Sequence, residues 1–192
     1  MRKGFRIAKE SVALLVIDMQ RHFCDPRSNF FVPGSDALAG KIKRLVDAFT
    51  TSNRPIFFTR HIDSLNKNNL MLRWWKEKIK EEDPMSEVVD ILDTKKVATV
   101  IKHQYDGFLN TRLEDLLRKK DVRQVVVCGV LTNLCCETTA RSAFMRGFEV
   151  YFVKDGTATF SKDMHEASLL NLSYGFAILT TINDVIRELN PA

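Results

Sequence analysis

The sequence predicts an α/β fold: a three-layer α/β/α sandwich around a parallel sheet of about six strands. Six short apolar runs rich in β-branched residues recur along the chain, and amphipathic segments separate them. The runs are continuously apolar rather than alternating, as parallel strands covered on both faces should be. Strand–helix alternation of this kind predicts right-handed crossovers with helices on both faces of the sheet.

The individual elements follow from these patterns. The predicted strands are 12–18, 55–60, 98–103, 123–130, 149–155 and 177–181, which together make a Rossmann-like sheet. The predicted helices are 35–50, 111–120, 135–146 and 162–174. In the second helix Leu113, Leu116 and Leu117 recur at helical spacing, and Thr111 with Glu114 is typical of a capping box.

One long polar connection, residues 62–85, interrupts this alternation and contains Trp74 and Trp75. An insertion of this length in a compact α/β domain is typical of a lid, a binding loop or a subunit contact. Its aromatic residues predict a homo-oligomer, because aromatic side chains are enriched in subunit contacts. The 192 residues contain no repeat and no composition shift, so we expect a single domain, 1–192.

Composition and charge exclude several classes of function. The net charge of +5 owes much to the basic first ten residues, and lysines and arginines nowhere alternate with aromatics. We therefore expect no nucleic-acid partner. No apolar run approaches the ~20 residues that a membrane helix needs. Neither a membrane partner nor a signal peptide is expected, and the predicted location is the cytoplasm.

The cysteines and glycines exclude common cofactor sites. Cys24, Cys128, Cys135 and Cys136 show neither a disulfide framework nor the paired spacing of a zinc site. The eight glycines form neither a dinucleotide-binding nor a P-loop motif. We therefore expect no cofactor.

Chemistry-bearing residues follow the predicted strands. Asp18, Arg60, Lys102 and Cys135 each lie at or just beyond a strand end, and the carboxyl ends of parallel strands share one edge of the sheet. Cys135 would lie in the first turn of a helix, where the dipole and a nearby Lys102 favour a thiolate and Asp18 could accept the proton. The alternatives are a helix cap for Asp18, a surface charge for Lys102 and a core residue for either cysteine of the 135–136 pair.

Three blocks of the chain carry a more specific signal: LLVIDMQRHF at 14–23, VIKHQYDGFLNTRLEDLL at 100–117 and GVLTNLCCETTARSAFMRGFEVYFVKD at 129–155. In order and spacing they resemble the isochorismatase-like cysteine hydrolases, among them nicotinamidases and the N-carbamoylsarcosine and ureidoacrylate amidohydrolases. The resemblance covers about residues 10–182. It implies a catalytic triad of Asp18, Lys102 and Cys135, with Cys136 turned into the core.

The resemblance also implies a cis peptide between Val130 and Leu131 and an oxyanion hole formed by the backbone N–H groups of Leu131 and Cys135. The implied reaction is hydrolysis of an amide or carbamoyl C–N bond through a thioester, with a homodimer or homotetramer as the assembly. An enol-ether hydrolase of the isochorismatase type is one alternative, although that chemistry needs only the acid. A catalytically idle binding or oligomerisation module is the other.

Two features bear on the substrate. Nicotinamidases hold a metal through an Asp-x-His motif after the second strand, but here His61 precedes Asp63, so we expect no metal, and this disfavours a pyridine-carboxamide substrate. Arg60 could pair with a substrate carboxylate or form a surface salt bridge. Gln20 could bind a polar edge of the substrate or cap a turn. The aromatic residues that could wall the pocket, or alternatively pack the core or a subunit contact, are Phe23, Trp74, Trp75, Tyr105 and Phe108.

Overall fold

The computed structural model describes residues 6–64, 66, 69–95 and 97–189. Within them a parallel six-stranded sheet has the strand order β3-β2-β1-β4-β5-β6, with helices on both faces. The strands are β1 (Val12–Ile17), β2 (Ile56–His61), β3 (Ala98–Lys102), β4 (Gln124–Val130), β5 (Glu149–Ala158) and β6 (Ile178–Thr180). The predicted three-layer α/β/α fold and all six predicted strands are therefore confirmed.

The helices are α1 (Arg21–Cys24), α2 (Ser35–Thr51), α3 (Leu70–Trp75), α4 (Leu113–Arg118), α5 (Glu137–Met145), α6 (Lys162–Gly175) and α7 (Ile182–Leu189). A π turn, Thr132–Cys136, precedes α5. The sequence analysis missed α1, α3 and α7. The expected capping box is wrong: α4 begins later, and Thr111 instead accepts a hydrogen bond from the Leu113 N–H.

The core consists of two apolar layers, one on each face of the sheet. Every residue of β1 is buried, and successive side chains point to opposite faces. Leu14 and Val16 pack in the layer covered by α2 and α7, whereas Leu15 and Ile17 pack in the layer covered by α4 and α5. Among the described residues, no helix is long and apolar enough to cross a bilayer.

The central strands β1 and β4 approach each other closely at their carboxyl ends. Ile17 pairs with Gly129, whose φ is +121°. A Cβ at this position would lie 2.1 Å from the Ile17 carbonyl oxygen, so only glycine fits. On the other side of β1, His61 pairs with Lys102 across β2 and β3. The chain segments that leave β1, β2, β3 and β4 therefore meet at one edge of the sheet.

Candidate active site

The structure brings Asp18, Lys102 and Cys135 into contact at this edge. Asp18 follows β1, Lys102 ends β3, and Cys135 lies on the π turn after β4. The Lys102 Nζ lies 2.7 Å from Asp18 Oδ2 and 3.3 Å from Cys135 Sγ. The Lys102 ammonium thus bridges the Asp18 carboxyl group and the Cys135 sulfur. All three side chains are buried, so the group forms one water-excluded cluster.

The ammonium group of Lys102 has an acceptor for each of its three hydrogens. Besides Asp18 and the sulfur, it donates to the Gln104 carbonyl oxygen at 2.9 Å. Burial alone would lower the pKa of Lys102, but the charges of Asp18 and Cys135 outweigh that effect and raise this pKa above its ordinary value. Lys102 is therefore a fixed positive charge beside the thiol.

The sequence analysis expected the helix dipole and Lys102 to favour the thiolate of Cys135, whereas burial in the structure opposes that form. Burial raises the pKa of Cys135 to about 12, and the opposing effect of Lys102 is too small to reverse it. Cys135 lies on the π turn that precedes α5 and not in the first turn of α5 itself. The raised pKa favours the thiol form of Cys135, and the Asp18 side chain contacts the same Lys102 ammonium.

Thr59, which the sequence analysis missed, holds Asp18 in place. The Thr59 hydroxyl donates to Asp18 Oδ1 at 2.6 Å and accepts the Asp18 N–H at 3.1 Å. Asp18 itself has a left-handed backbone, with φ +48°. These two bonds hold both the left-handed main chain of Asp18 and its carboxylate. In the sequence, the feature that could have pointed to Thr59 is a hydroxyl side chain within the otherwise apolar run of β2.

Two side-chain contacts hold the first two residues of the turn that bears Cys135. Thr132 Oγ1 lies 3.0 Å from His165 Nδ1 on α6, and the Thr159 hydroxyl donates to Asn133 Oδ1 at 2.6 Å. The peptide between Val130 and Leu131 is cis, as the resemblance implies. Leu131 and Cys135 both line the pocket described next.

A largely apolar pocket opens onto the sulfur of Cys135. Three of the predicted wall residues, Phe23, Trp75 and Tyr105, line it, and Trp75 Nε1 donates to the Tyr105 hydroxyl at 2.8 Å. Trp74 lies at the outer mouth and is 71% exposed. The connection 62–85 thus supplies one wall, and its role in a homo-oligomer stays a prediction. The remaining lining residues are His22, Phe30, His61, Asp63, Met71, Glu77, Ile79, Leu131, Leu134 and Phe160.

Besides Trp74, three predicted substrate-binding residues lie outside the pocket lining. Gln20 is buried and forms hydrogen bonds with the backbone of His61 and Ser86. Arg60 donates to Ser86 and forms an ion pair with Glu87 at 2.9 Å, which favours the salt-bridge alternative. Phe108 packs in the core, with its ring centroid 6.0 Å from that of Phe148.

A polar group that the sequence analysis considered only as a weak metal motif lines the pocket instead. His61 Nε2 lies 3.4 Å from Asp63 Oδ1, and Asp63 Oδ2 accepts the Ile79 N–H at 2.8 Å. The His22 ring stacks on Phe30 nearby. Within the described part of the chain, no group of three or more His, Cys, Asp or Glu residues is arranged to hold a metal ion.

Comparison with known proteins agrees with this geometry. The Isochorismatase domain model matches residues 12–184. Nicotinamidase 3 from Arabidopsis thaliana is 40% identical over 182 residues, which is 92% of this chain and 88% of that protein.

Solved structures show the same fold. A cysteine hydrolase from Pseudomonas syringae superposes with a TM-score of 0.91 at 29% identity, covering 97% of this chain and 95% of that chain. N-carbamoylsarcosine amidase from Thermoplasma acidophilum superposes at 0.80 and 24% identity, covering 90% and 97%. With a family model that spans most of its length and a relative of this similarity, the chain belongs to the isochorismatase family of cysteine hydrolases.

Proposed function

We propose that this protein hydrolyses the C–N bond of a small aromatic carboxamide through a thioester on Cys135. The observation that carries the proposal is the buried contact between Asp18, Lys102 and Cys135 at the base of a pocket walled by aromatic rings. The similarity to Nicotinamidase 3 supports nicotinamide as the first substrate to test.

The geometry suggests how the first half of the reaction proceeds. Asp18 takes the proton of the Cys135 thiol as the sulfur attacks the carbonyl carbon, and the ammonium of Lys102, 3.3 Å away, stabilises the developing thiolate. The backbone N–H groups of Leu131 and Cys135 bind the oxyanion of the tetrahedral intermediate. The C–N bond then breaks, Asp18 returns its proton to the leaving ammonia, and a thioester remains.

The second half uses the same groups. Asp18 takes a proton from a water molecule, whose oxygen attacks the thioester carbon. The C–S bond breaks, the sulfur recovers the proton, and the product leaves as a carboxylic acid. The sum is one amide and one water converted to one acid and one ammonia. A nucleophilic cysteine is needed for this route and is superfluous for enol-ether hydrolysis, so the presence of Cys135 favours amide cleavage.

The test is ammonia release from nicotinamide by the purified protein. Cys135→Ala is expected to reduce turnover to background, because no other group replaces the nucleophile. Cys136→Ala is the matched control: this neighbouring cysteine is fully buried in the core, and its loss should leave most of the activity. Full activity in Cys135→Ala would refute the thioester route. Pyruvate release from isochorismate without amide hydrolysis would refute the substrate class.

A further inference from the structure

A polar corner of the pocket has no part in the chemistry proposed above. It consists of His22, His61 and Asp63, which line the same cavity as Cys135. His61 is 4% exposed and Asp63 is 7% exposed, so both polar groups are removed from bulk water. Buried polar groups in a pocket otherwise lined by apolar side chains are the usual means of orienting a ligand.

The protonation pattern of this corner follows from its contacts. Burial tends to raise the pKa of Asp63, but the hydrogen bonds from His61 and the Ile79 N–H outweigh it and lower that pKa. Asp63 is therefore a carboxylate, which only accepts hydrogen bonds. The His61 Nε2, 3.4 Å from Asp63 Oδ1, must then carry its hydrogen.

This arrangement leaves the other ring nitrogen of His61 without a partner. Nδ1 is buried and makes no hydrogen bond to any described residue. Leaving a buried polar atom unpaired is unfavourable, because it has lost its water without gaining another partner. Since His61 belongs to the pocket wall, a bound substrate is the natural source of that partner.

A metal ion does not fit the corner. Asp63 already uses one oxygen for the Ile79 N–H and the other for His61, so neither of its oxygens is left without a hydrogen bond. In the region after the second strand, where nicotinamidases carry an Asp-x-His metal motif, this chain has the reversed order, and His61 and Asp63 form a hydrogen-bonded pair instead. The search of the described residues for a three-ligand group also finds none.

We propose that His61, oriented by Asp63, hydrogen-bonds directly to a polar ring atom or ring substituent of the substrate. This inference rests on the proposed function and narrows its substrates to aromatic carboxamides that carry such a group, recognised without a metal. The ring would lie against the aromatic wall, where His22 stacks on Phe30 with centroids 5.2 Å apart. Burial lowers the pKa of His22, so this wall is uncharged. Nδ1 would accept from a hydroxyl group or, when protonated, donate to a pyridine nitrogen.

The test compares three amides of similar shape: benzamide, nicotinamide and 3-hydroxybenzamide. In the wild type, kcat/KM for at least one of the two polar amides should exceed that for benzamide about tenfold or more, since a pocket that pairs a polar group discriminates against the analogue lacking it. In His61→Phe the ratio of kcat/KM for the preferred polar amide to kcat/KM for benzamide should fall to about one, whatever the absolute rates. Should His61→Phe not fold, His61→Gln and Asp63→Asn test the same preference. His103→Gln is the control, because His103 lies outside the pocket lining and bonds to the Ile62 carbonyl.

A second measurement separates this inference from the proposed function. Calorimetry on Cys135→Ala, which should bind the amides without turning them over, measures the dissociation constants of the three amides. The titrations are made before and after the protein is treated with a metal chelator, and the metal content of each sample is determined. The inference is supported if a polar amide binds more tightly than benzamide, if this preference is lost when His61→Phe is added to Cys135→Ala, and if chelation does not change it. This result supports the inference even where no amide is hydrolysed. Equal binding of all three amides, a preference that survives His61→Phe, or binding that requires a stoichiometric metal would overturn it.

Discussion

Removing the ammonium group of Lys102 tests whether the charge cluster is catalytic or only structural. In Lys102→Met the Asp18 carboxylate keeps its buried position but loses the cation 2.7 Å away. Breaking a fully buried ion pair in this way is expected to lower the free energy of unfolding by about 3–5 kcal/mol. Urea unfolding at pH 8 of the wild type and of Lys102→Met measures this loss.

The sign of the wild-type contribution follows from the raised pKa of Lys102. A group whose pKa is higher in the folded state stabilises the fold fully below its unfolded pKa, about 10.4 for lysine, and loses that contribution as the pH rises through the folded value. The wild type should therefore keep this contribution across the neutral range.

The same variant should change the reactivity of the thiol. Because the pKa of Cys135 is about 12, its alkylation by iodoacetamide should accelerate about tenfold per pH unit between pH 7 and 11. At the 3.3 Å separation of Nζ and Sγ, an effective dielectric constant of ~20 gives an attraction of up to about 5 kcal/mol for the thiolate. We therefore expect Lys102→Met to slow alkylation by about tenfold or more and to move the profile to higher pH.

Lys102→Arg is the informative partner variant. Lys102 has no exposed surface and its three acceptors surround one nitrogen, so a planar guanidinium should not restore activity. Superimposable alkylation profiles for the wild type and Lys102→Met would remove Lys102 from the reaction and leave it a structural ion pair.

Two further predictions concern the residues that hold the site. Thr59→Val should reduce kcat for the amide about 10–100-fold with little change in KM, because it removes the hydroxyl that orients the catalytic carboxylate, and Thr59→Ser should recover most of it. A similar loss in both variants would indicate a packing role only. Gly129→Ala should lower the melting temperature sharply, since its Cβ would lie 2.1 Å from a backbone oxygen. Gly40 lies inside α2 with open space around it, so Gly40→Ala should raise the free energy of unfolding by up to ~1 kcal/mol. Equal melting temperatures for the two glycine variants would contradict the close approach of the central strands.

The sequence predicts the sheet and the proximity of Asp18, Lys102 and Cys135 well, because both depend on strand ends. Continuous apolar runs locate the strands, and parallel pairing brings residues such as Asp18 and Lys102 to one edge. It is harder to predict from the sequence which side chains line the pocket, because adjacent residues of β2 point to opposite faces of the sheet. Thr59 and His61 lie on the side of the site, and Arg60 between them leaves toward Glu87.

Two other features depend on packing that no local pattern records. The six-residue helix α3 is too short for a clear helical period, so the sequence suggests Trp75 as a wall residue but does not predict the helix that carries it. The resting state of Cys135 depends on how completely neighbouring elements exclude water. The sequence shows the nearby charges but not the desolvation, and desolvation has the larger effect on the pKa.

The left-handed backbone of Asp18 restricts which amino acids can serve as the base. At φ +48° most side chains are disfavoured, but aspartate and asparagine tolerate this region because their short polar groups bond locally. Glutamate, also a carboxylic acid, would have to adopt this conformation without that tolerance and would carry its carboxylate one methylene further from the main chain. The backbone conformation at position 18 therefore restricts the length of the acidic side chain as well as its charge. An exchange of aspartate for glutamate, although it keeps a carboxylate, is not a conservative substitution here.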